Sequence, residues 1–301
     1  MPSNFFSNTR DYSAGHRERL TAAGRTAVLA RLFRVGNCAL LGSLAVFSVA
    51  VTEYGSRWTA LHLSLLFISW SALAATAYAI NDLVDRVNDR VNRPQRYLQQ
   101  VDRTPFWIVV SVCVAAVVAG IAGALVPLHR FLVLEAGWSC CAIGYSFGLK
   151  RRSGLLANLL TAFCVTTSAA PGLLQGFSPS LGSLSAVLFC IMFAREIWKD
   201  IEDEPGDSAA GLRTIPILRG RAFAARSASL VAAVGFLVLL LDRPAGHVVE
   251  PTAVFLGLVG LIACTVFFAH PNMMPARQIQ RLHRYASIVV FALFIGGSGV
   301  L

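Results

Sequence analysis

Two clusters of aspartate residues have the same internal spacing and lie 118 residues apart in the chain. The clusters comprise Asp82, Asp85 and Asp89 in the segment NDLVDRVND, and Asp200, Asp203 and Asp207 in the segment KDIEDEPGD. On an α-helix, positions i, i+3 and i+7 lie on one face. Three carboxylates on one face repel each other unless a cation lies between them, and Mg²⁺ binds oxygen ligands together with substrate phosphates. The spacing therefore predicts two faces that hold a diphosphate ester through bridging metal ions.

The distribution of acidic residues argues against a simpler interpretation, in which solvated loop carboxylates pair with nearby arginines. The chain has only sixteen acidic residues, and nine of them lie in or beside these two segments. Each cluster also begins where an apolar segment ends, and carboxylates at a membrane boundary are costly unless they serve a function. We therefore expect all six aspartates to be metal ligands, and Asp82, Asp85, Asp200 and Asp203 to take part in catalysis.

The composition is that of a membrane protein with several spans. Of the 301 residues, 55% are hydrophobic and 14% are charged, and the mean hydropathy is +0.62. Soluble domains are about one quarter charged. Nine apolar segments are each about 17–25 residues long, enough to cross a hydrocarbon core of about 30 Å. They cover residues 27–51, 59–80, 106–126, 130–147, 155–175, 182–199, 222–241, 252–270 and 285–301. We expect an all-α membrane protein with nine transmembrane helices in a single domain over residues 1–301.

Positive charge is distributed unevenly between the two ends of the predicted spans. Nineteen lysine and arginine residues lie before the first span or after an even-numbered span, and three lie after odd-numbered spans. Because basic residues are retained in cytoplasmic loops, this asymmetry places residues 1–26 and both aspartate clusters at the cytoplasmic face. The net charge of +10 then reflects topology and contact with anionic lipid headgroups. No nucleic-acid partner is expected, because the basic residues are scattered over short loops.

The two clusters end differently. Pro205 and Gly206 are predicted to stop the second helix near Glu204, so that Asp207 lies on a turn and reaches back. The first cluster has no helix breaker before residue 94, and its helix is predicted to continue through Asp89.

Several basic side chains are candidates for contact with the diphosphate. Lys150 and Lys199 are the only lysines in the chain; Lys199 could instead pair with Asp203, four residues later. Arg93, Arg96 and Arg213 can offer planar forks to phosphate oxygens. The alternative for these arginines is a topological role as positive charges on the cytoplasmic side.

Asparagine and aromatic side chains near the motif ends form a second group of candidates. Asn37 and Asn158 are amides within apolar spans, where an unpaired amide is costly, so they serve either substrate contact or interhelical packing. Asn81 immediately precedes the first aspartate of its cluster, as Lys199 does in the other. Tyr145, and with it Tyr78, Phe147 and Trp198, could turn a π-face toward a carbocation or belong to an interfacial aromatic belt.

An ordered set of motifs resembles the UbiA superfamily of intramembrane prenyltransferases. NDLVDRVNDRVNRPQR is similar to the family signature N-D-x-x-D-x-x-x-D-x-x-x-x-R-P-x-R, and KDIEDEPGDSAAGLRTIP resembles the second motif, D-x-x-D-x-x-G-D followed by G-x-x-T-hydrophobic-P. GYSFGLKRRSGLLANLL looks like the family's Y-S-x-x-L-K segment with a following asparagine, and RLFRVGN like the R-x-x-N of the first span. Each motif alone is weak, but the set covers most of the chain in the right order.

The resemblance implies nine helices around a central, lipid-accessible cavity capped by cytoplasmic loops. The aspartates would carry two or more Mg²⁺ ions that grip a prenyl diphosphate, and Lys150 would donate to the diphosphate. The prenyl tail would lie in the apolar part of the cavity, where exclusion of water protects an allylic cation. The substrate-binding set would comprise Asn37, Asn81, Arg93, Arg96, Tyr145, Asn158, Lys199 and Arg213.

The identity of the acceptor stays open. After Arg96 the chain reads Tyr-Leu-Gln-Gln, where the family often has P-I-P-x-G, and the second motif is shared by branches that prenylate polyprenylglyceryl phosphates and aromatic rings. Three functions therefore remain. They are a prenyltransferase with a hydrophobic acceptor, a terpene cyclase without one, and a divalent-cation transporter. Transporter sites lie near the bilayer midplane, whereas these clusters lie at one end of the spans.

Overall fold

The protein is a bundle of helices in the computed structural model, which describes residues 22–52, 57–86, 89, 106–127, 130–149, 152–176, 179–241, 278–281, 283, 285 and 288. These residues form α1 (Ala22–Leu32), α2 (Val35–Ala50), α3 (Ala60–Val84), α4 (Phe106–Ala124), α5 (Phe131–Gly144), α6 (Gly154–Thr166), α7 (Ala170–Leu173), α8 (Pro179–Ala209), α9 (Ile215–Arg219) and α10 (Arg221–Leu241). A π-helical turn, Tyr145–Leu149, extends α5, and a 3₁₀ turn, Thr167–Ala169, joins α6 to α7. No strand occurs in the described residues, so the all-α prediction is confirmed for them.

Six helical segments in the described part of the chain are long and apolar enough to cross a membrane. A seventh is obtained when α1 and α2, which meet at a bend of 53°, are taken as one span. These seven segments coincide with the first seven of the nine predicted spans. Segments 252–270 and 285–301 lie outside the described residues, apart from Tyr285 and Ile288, so the count of nine helices stays a prediction.

Two packing arrangements hold the described helices together. Trp70 of α3 and Phe131 of α5 are completely buried between α2, α3 and α5. Small side chains instead bring α8 and α10 into close contact, because Ala194 of α8 and Ala224, Ala228 and Ala232 of α10 belong to one buried cluster and have almost no exposed area. Close approach through small residues is typical of helix pairs in membranes, where lipid and side chains are equally apolar.

The two aspartate clusters lie at the same end of the bundle, which we call the aspartate end. This end contains the last residues of α3 and α8, the π-helical turn, and the start of α6. The backbone N–H of Gly154 donates to the carbonyl oxygen of Arg213 at 3.0 Å. The loop that follows the second cluster is thereby attached to the beginning of α6.

Helix α8 does not stop at Pro205 and Gly206. It continues to Ala209, so the predicted end near Glu204 was wrong, and Asp207 lies on the helix instead of a turn. Proline removes one backbone hydrogen bond from a helix, but here only the last turn follows it.

The residue that ends this helix is Gly211, which has a φ of 68°. The left-handed conformation favours glycine. The N–H of Leu212 donates to the carbonyl oxygen of Asp207 at 2.9 Å. Of the two glycines that follow Asp203, Gly206 and Gly211, it is Gly211 that adopts a positive φ.

The helix of the first cluster also differs from its prediction. Helix α3 ends at Val84 and Asp85 is its C-terminal capping residue. Helical hydrogen bonds nevertheless continue: the N–H of Asp85 donates to Asn81 at 2.8 Å, and that of Asp89 to Asp85 at 2.9 Å.

A carboxyl group is buried among three of the spans, far along the chain from either cluster. Glu135 of α5 is 6% exposed and contacts the Ser69 hydroxyl of α3. Ser69 also donates to the carbonyl oxygen of Ala119 in α4 at 3.0 Å. A β-carbon added to Gly123 of α4 would overlap the Glu135 carboxyl group. Polar side chains in membranes commonly join helices in this way.

This contact predicts different effects of alanine at two glycines one turn apart on α4. Gly123→Ala should lower the free energy of unfolding in detergent by about 1–3 kcal/mol, because the added methyl group displaces Glu135. Gly120→Ala is the matched control, since a β-carbon there meets nothing within 4 Å. It should be neutral, or stabilise by up to about 1 kcal/mol through helix propensity. Equal effects in the two variants would contradict the assignment.

Candidate active site

A cavity of about 360 Å³ opens among α2, α3, α5, α6 and α8. Its wall near the aspartate end is polar and includes Arg34, Asn37, Asn81, Glu196 and Lys199. Farther along the helices the wall is apolar. There it is formed by side chains such as Leu41, Ala74, Trp138, Val165 and Met192. The cavity is large enough for a small ligand, and its shape suits a molecule with a charged head and a hydrocarbon tail.

Each aspartate cluster adjoins this cavity. Asn81 and Lys199, which immediately precede the first aspartate of each cluster, both line it. The three aspartates of α8 are buried, Asp207 with only 1% exposure, whereas Glu202 and Glu204 on the same helix are half-buried. Asp82 and Asp89 are buried as well, and Asp85 is half-buried. On α8 the i, i+3, i+7 spacing therefore does correspond to one inward face.

Amide side chains contact one carboxylate in each cluster. Asn158 of α6 donates from Nδ2 to Oδ2 of Asp200 at 2.7 Å, and both side chains are buried. Asn81 donates from Nδ2 to Oδ2 of Asp85 at 3.1 Å. The Oδ1 atom of Asn81 is buried and has no hydrogen-bond partner among the described residues. A buried acceptor without a partner is costly, and a ligand or ion bound beside Asn81 would supply the missing partner.

Arg34 brings a guanidinium group against the first cluster. Its Nη2 atom lies 2.5 Å from Oδ1 of Asp82, and the guanidinium carbon lies 4.8 Å from the centroid of the Tyr78 ring. Arg34 occupies the break between α1 and α2 and has a φ of 49°, a positive value that no other described non-glycine residue shows. Backbone strain of this kind costs about 1–3 kcal/mol and persists where surrounding contacts hold it. Here those contacts are the ion pair and the stacked ring.

A second group of charges lies on α8 at the opposite wall. Glu196 is buried and accepts from Nη1 of Arg195 at 2.7 Å, and it forms an ion pair with Nζ of Lys199 at 3.4 Å. All three side chains line the cavity. Arg34, Arg195 and Lys199 thus bring three cations to the cavity wall, beside the carboxylate of Glu196. One turn farther along α8, Glu202 accepts from Nε2 of Gln280 at 2.6 Å.

Comparison with known proteins identifies the family to which this arrangement belongs. The family model for UbiA prenyltransferases matches residues 39–295. The chain belongs to the UbiA prenyltransferase family. It is therefore an enzyme of the prenyltransferase class, as the motifs had indicated.

The family's curated members include relatives of substantial similarity. A digeranylgeranylglyceryl phosphate synthase of Thermococcus gammatolerans is 31% identical over 268 residues, which cover 87% of this chain and 95% of that protein. A protein of the same name from Methanothrix thermoacetophila is 30% identical over 220 residues, covering 70% of this chain and 78% of the relative.

Solved structures show the same fold at low sequence identity. A structure from a study of digeranylgeranylglyceryl phosphate synthase in membranes has a TM-score of 0.69 at 18% identity, covering 92% of this chain and 99% of that one. A UbiA homologue from Archaeoglobus fulgidus, bound to DMAPP and Mg²⁺, has a TM-score of 0.67 at 18% identity, with 91% and 99% covered. The helical architecture is thus that of UbiA proteins.

The structure brings most of the predicted UbiA site residues to one place. Asn37, Asn81, Tyr145 and Lys199 line the cavity, and Asn158 contacts Asp200. Tyr145 lies in the π-helical turn, a feature that often marks functional sites.

The remaining predicted residues lie elsewhere or outside the described part of the chain. Arg213 is exposed and does not line the cavity. Lys150, Arg93 and Arg96 fall outside the described residues.

Sequence reasoning did not select three of the charged side chains in the cavity. Arg34 is the arginine of the R-x-x-N motif, so a signal was present. Arg195 and Glu196 lie on α8 just before the segment KDIEDEPGD, at the end of an apolar stretch, and their spacing matches no motif. Only the packing of α8 against the cavity shows that they face inward.

The donor set fits Mg²⁺ that is shared with a substrate. No group of three His, Cys, Asp or Glu side chains in the described residues could by itself hold a metal ion. Mg²⁺ usually takes only one or two carboxylates and completes its coordination with water and substrate phosphates. Buried aspartates together with the available Oδ1 atom of Asn81 match that incomplete coordination.

The bond between Asn158 and Asp200 yields a test of the site's structural support. Asn158→Leu should lower the free energy of unfolding in detergent by about 1–3 kcal/mol, because a buried carboxylate loses a donor. Thr161→Val, one turn along α6, is the control. Among the described residues, the Thr161 hydroxyl donates only to the Ala157 carbonyl oxygen of its own helix, at 3.0 Å, so loss of this hydroxyl should cost at most about 0.5 kcal/mol. A Thr161→Val variant as unstable as Asn158→Leu would contradict the role given to Asn158.

Proposed function

We propose that this enzyme is a Mg²⁺-dependent transferase that moves the prenyl group of a prenyl diphosphate to a polyprenylglyceryl phosphate-type acceptor. The observation that carries the proposal is a cavity with a hydrocarbon wall, whose polar end adjoins both aspartate clusters through Asn81, Lys199 and the ion pair of Arg34 with Asp82. The relatives named digeranylgeranylglyceryl phosphate synthase support this acceptor class. The Archaeoglobus fulgidus homologue, bound to GPP and Mg²⁺ in another structure, supports the donor and the metal.

The six aspartates are the proposed ligands of two or more Mg²⁺ ions. Bound there, Mg²⁺ neutralises the diphosphate and stabilises it as a leaving group. Asn158 fixes the orientation of Asp200 through its 2.7 Å hydrogen bond. Asn81 donates to Asp85 through Nδ2, and its amide oxygen, Oδ1, is a further candidate ligand. Both amides thus position ligands whose own charges would otherwise push them apart.

Basic residues of the chain bind the diphosphate in this proposal. Arg34 can turn its planar fork from Asp82 to phosphate oxygens, because the same geometry suits carboxylate and phosphate. Lys199 reaches the cavity from the other wall. Lys150, Arg93 and Arg96 complete the proposed set.

The apolar wall then governs what happens at C1 of the prenyl group. The bond between C1 and the diphosphate oxygen breaks with its electron pair on the leaving group. The hydroxyl oxygen of the acceptor forms a new bond to C1 and passes its proton to the released diphosphate. Leu41, Ala74 and Val165 exclude water from the developing cation. Tyr145 also lines the cavity, and the π-face of its ring can stabilise positive charge.

The basic side chains at the polar end support an anionic acceptor. Arg34, Arg195 and Lys199 line the cavity together with Glu196, and in this proposal Mg²⁺ would offset the charge of the neighbouring aspartates. A phosphate monoester can then bind these guanidinium and ammonium groups. A neutral aromatic ring forms no such ion pair.

Product analysis tests the proposal. Purified protein with Mg²⁺ and geranylgeranyl diphosphate should release diphosphate only when a polyprenylglyceryl phosphate is added, and a hydroxybenzoate should not replace it. Turnover with the aromatic acceptor alone would refute the proposed acceptor. Formation of a cyclic hydrocarbon without any acceptor would show a cyclase instead.

Two neighbouring carboxylates on α8 provide the matched variants for this assay. Asp203→Asn should lower turnover by at least about a hundredfold, the scale of a lost electrostatic contribution in an active site. Glu204→Gln should retain turnover within about threefold, because Glu204 pairs with the exposed side chain of Arg221. Full activity of Asp203→Asn would refute metal-assisted departure of the diphosphate.

We also propose that the aspartate end faces the cytoplasm, as the distribution of basic residues predicts. Ser208 lies at that end and Gly176 at the opposite end of the bundle, and both are exposed. In intact cells, a membrane-impermeant maleimide should label Gly176→Cys. It should label Ser208→Cys only after permeabilisation, with the unsubstituted protein as control for the native cysteines. The reverse pattern would invert the orientation.

A further inference from the structure

The cavity ends at one common depth on four of the described helices. On α3 the lining residues run from Asn81 to Ala74, and on α8 from Lys199 to Met192. Those on α2 run from Arg34 to Leu41, and those on α5 with its π-helical turn from Ser146 to Trp138. Each run covers eight or nine residues, and the rise of about 1.5 Å from one residue to the next gives a depth of roughly 10–12 Å.

Trp138 is the largest side chain at that depth, and more aromatic rings lie directly behind it. The centroid of the Trp70 ring lies 6.3 Å from that of Trp138, and the centroid of Phe131 lies 5.8 Å from that of Trp70. Trp70 and Phe131 have no exposed surface. A hydrocarbon chain that follows the bundle axis from the aspartate end therefore meets three aromatic rings in succession.

Hydrogen bonds hold two of these rings in place. Trp138 donates from Nε1 to the carbonyl oxygen of Cys164 at 2.8 Å, and Trp70 donates from Nε1 to Oγ of Ser168, also at 2.8 Å. Both acceptors belong to the continuous helical segment of α6 and its 3₁₀ turn. An indole fixed by a buried hydrogen bond cannot rotate aside without leaving its N–H unpaired. These rings, Trp138 with Trp70 and Phe131 behind it, form the floor of the cavity, and the two hydrogen bonds make this floor rigid.

We propose that Trp138 limits how far a prenyl chain extends along the bundle axis, and that it thereby selects donors by chain length. This inference rests on the proposed prenyl transfer. One five-carbon prenyl unit is about 5 Å long when extended, given C–C bonds of about 1.5 Å. Because the depth of 10–12 Å includes the polar end, it accommodates at most about two such units. Later units must turn away from the axis at the indole.

Selection at this floor is a matter of shape. The lipid bilayer is as apolar as the cavity wall, so burying more hydrocarbon in the protein offers little hydrophobic advantage over leaving it among lipid tails. The cost to a longer donor is the bend imposed by Trp138. Replacing the indole by a small side chain removes that bend, and one methylene in a hydrophobic pocket already changes kcat/KM by about tenfold.

The test compares kcat/KM for geranyl and geranylgeranyl diphosphate with one acceptor in detergent. Trp138→Ala should raise the ratio of geranylgeranyl to geranyl kcat/KM by at least about tenfold over the unsubstituted enzyme. Trp138→Leu, which leaves a smaller void, should shift the ratio in the same direction and serves if Trp138→Ala does not fold. Trp138→Phe removes the hydrogen bond but keeps most of the volume, so its ratio should stay within about threefold.

Trp107→Ala is the matched control outside the cavity. Trp107 lies on α4 and packs against a separate cluster around Ile108 and Val112, so its loss should leave the ratio unchanged. An unchanged ratio in both Trp138→Ala and Trp138→Leu would overturn the inference, as would an equal shift in Trp107→Ala. If the unsubstituted enzyme released no diphosphate from either donor with any acceptor, the proposed function itself would be wrong. The two failures are therefore distinguishable.

Discussion

The structure depends on the burial of carboxylates where apolar helices end. Five aspartates of the two clusters and Glu196 are buried at one end of the bundle, where an ion needs a compensating charge or hydrogen bonds. Arg34, Arg195 and Lys199 supply positive charge, and Asn81 and Asn158 supply donors. The strained backbone of Arg34 and the asparagine within α6 are explained by this one requirement.

The same constraint explains why the cavity is divided into two parts. Charged side chains need partners, so they are gathered within about two turns of the aspartate end, and the helices beyond them present only apolar surface to the cavity. A prenyl diphosphate is divided in the same way, with a strongly charged head and a hydrocarbon tail. The aromatic floor around Trp138 closes the apolar part, and interhelical hydrogen bonds of its indole and of Glu135 stiffen the walls. The proposed preference for chain length follows from the position of Trp138 at the closed end of the cavity.

Much of the architecture could be read from the sequence because it depends on local signals. Apolar length predicted the seven described spans, and helical spacing predicted the inward face of Asp200, Asp203 and Asp207. Where two local signals competed, the prediction was wrong. Pro205 and Gly206 indicated a helix end, but the helix continues to Ala209 and the chain turns at Gly211. The helix continues through residues beyond the proline that have contacts of their own: the side chain of Asp207 is buried, and its carbonyl oxygen accepts from the N–H of Leu212.

The sequence by itself determined that this protein crosses a membrane, that it belongs with the UbiA prenyltransferases, and which six aspartates form its clusters. Spacing and hydropathy suffice for these conclusions because they are properties of single helices. Only the tertiary structure decided that Arg34 and Arg195 face the cavity, that Arg213 does not, and that Trp138 closes it. Those facts depend on how α2, α5, α6 and α8 pack together. Packing joins residues more than a hundred positions apart, and no local pattern records it.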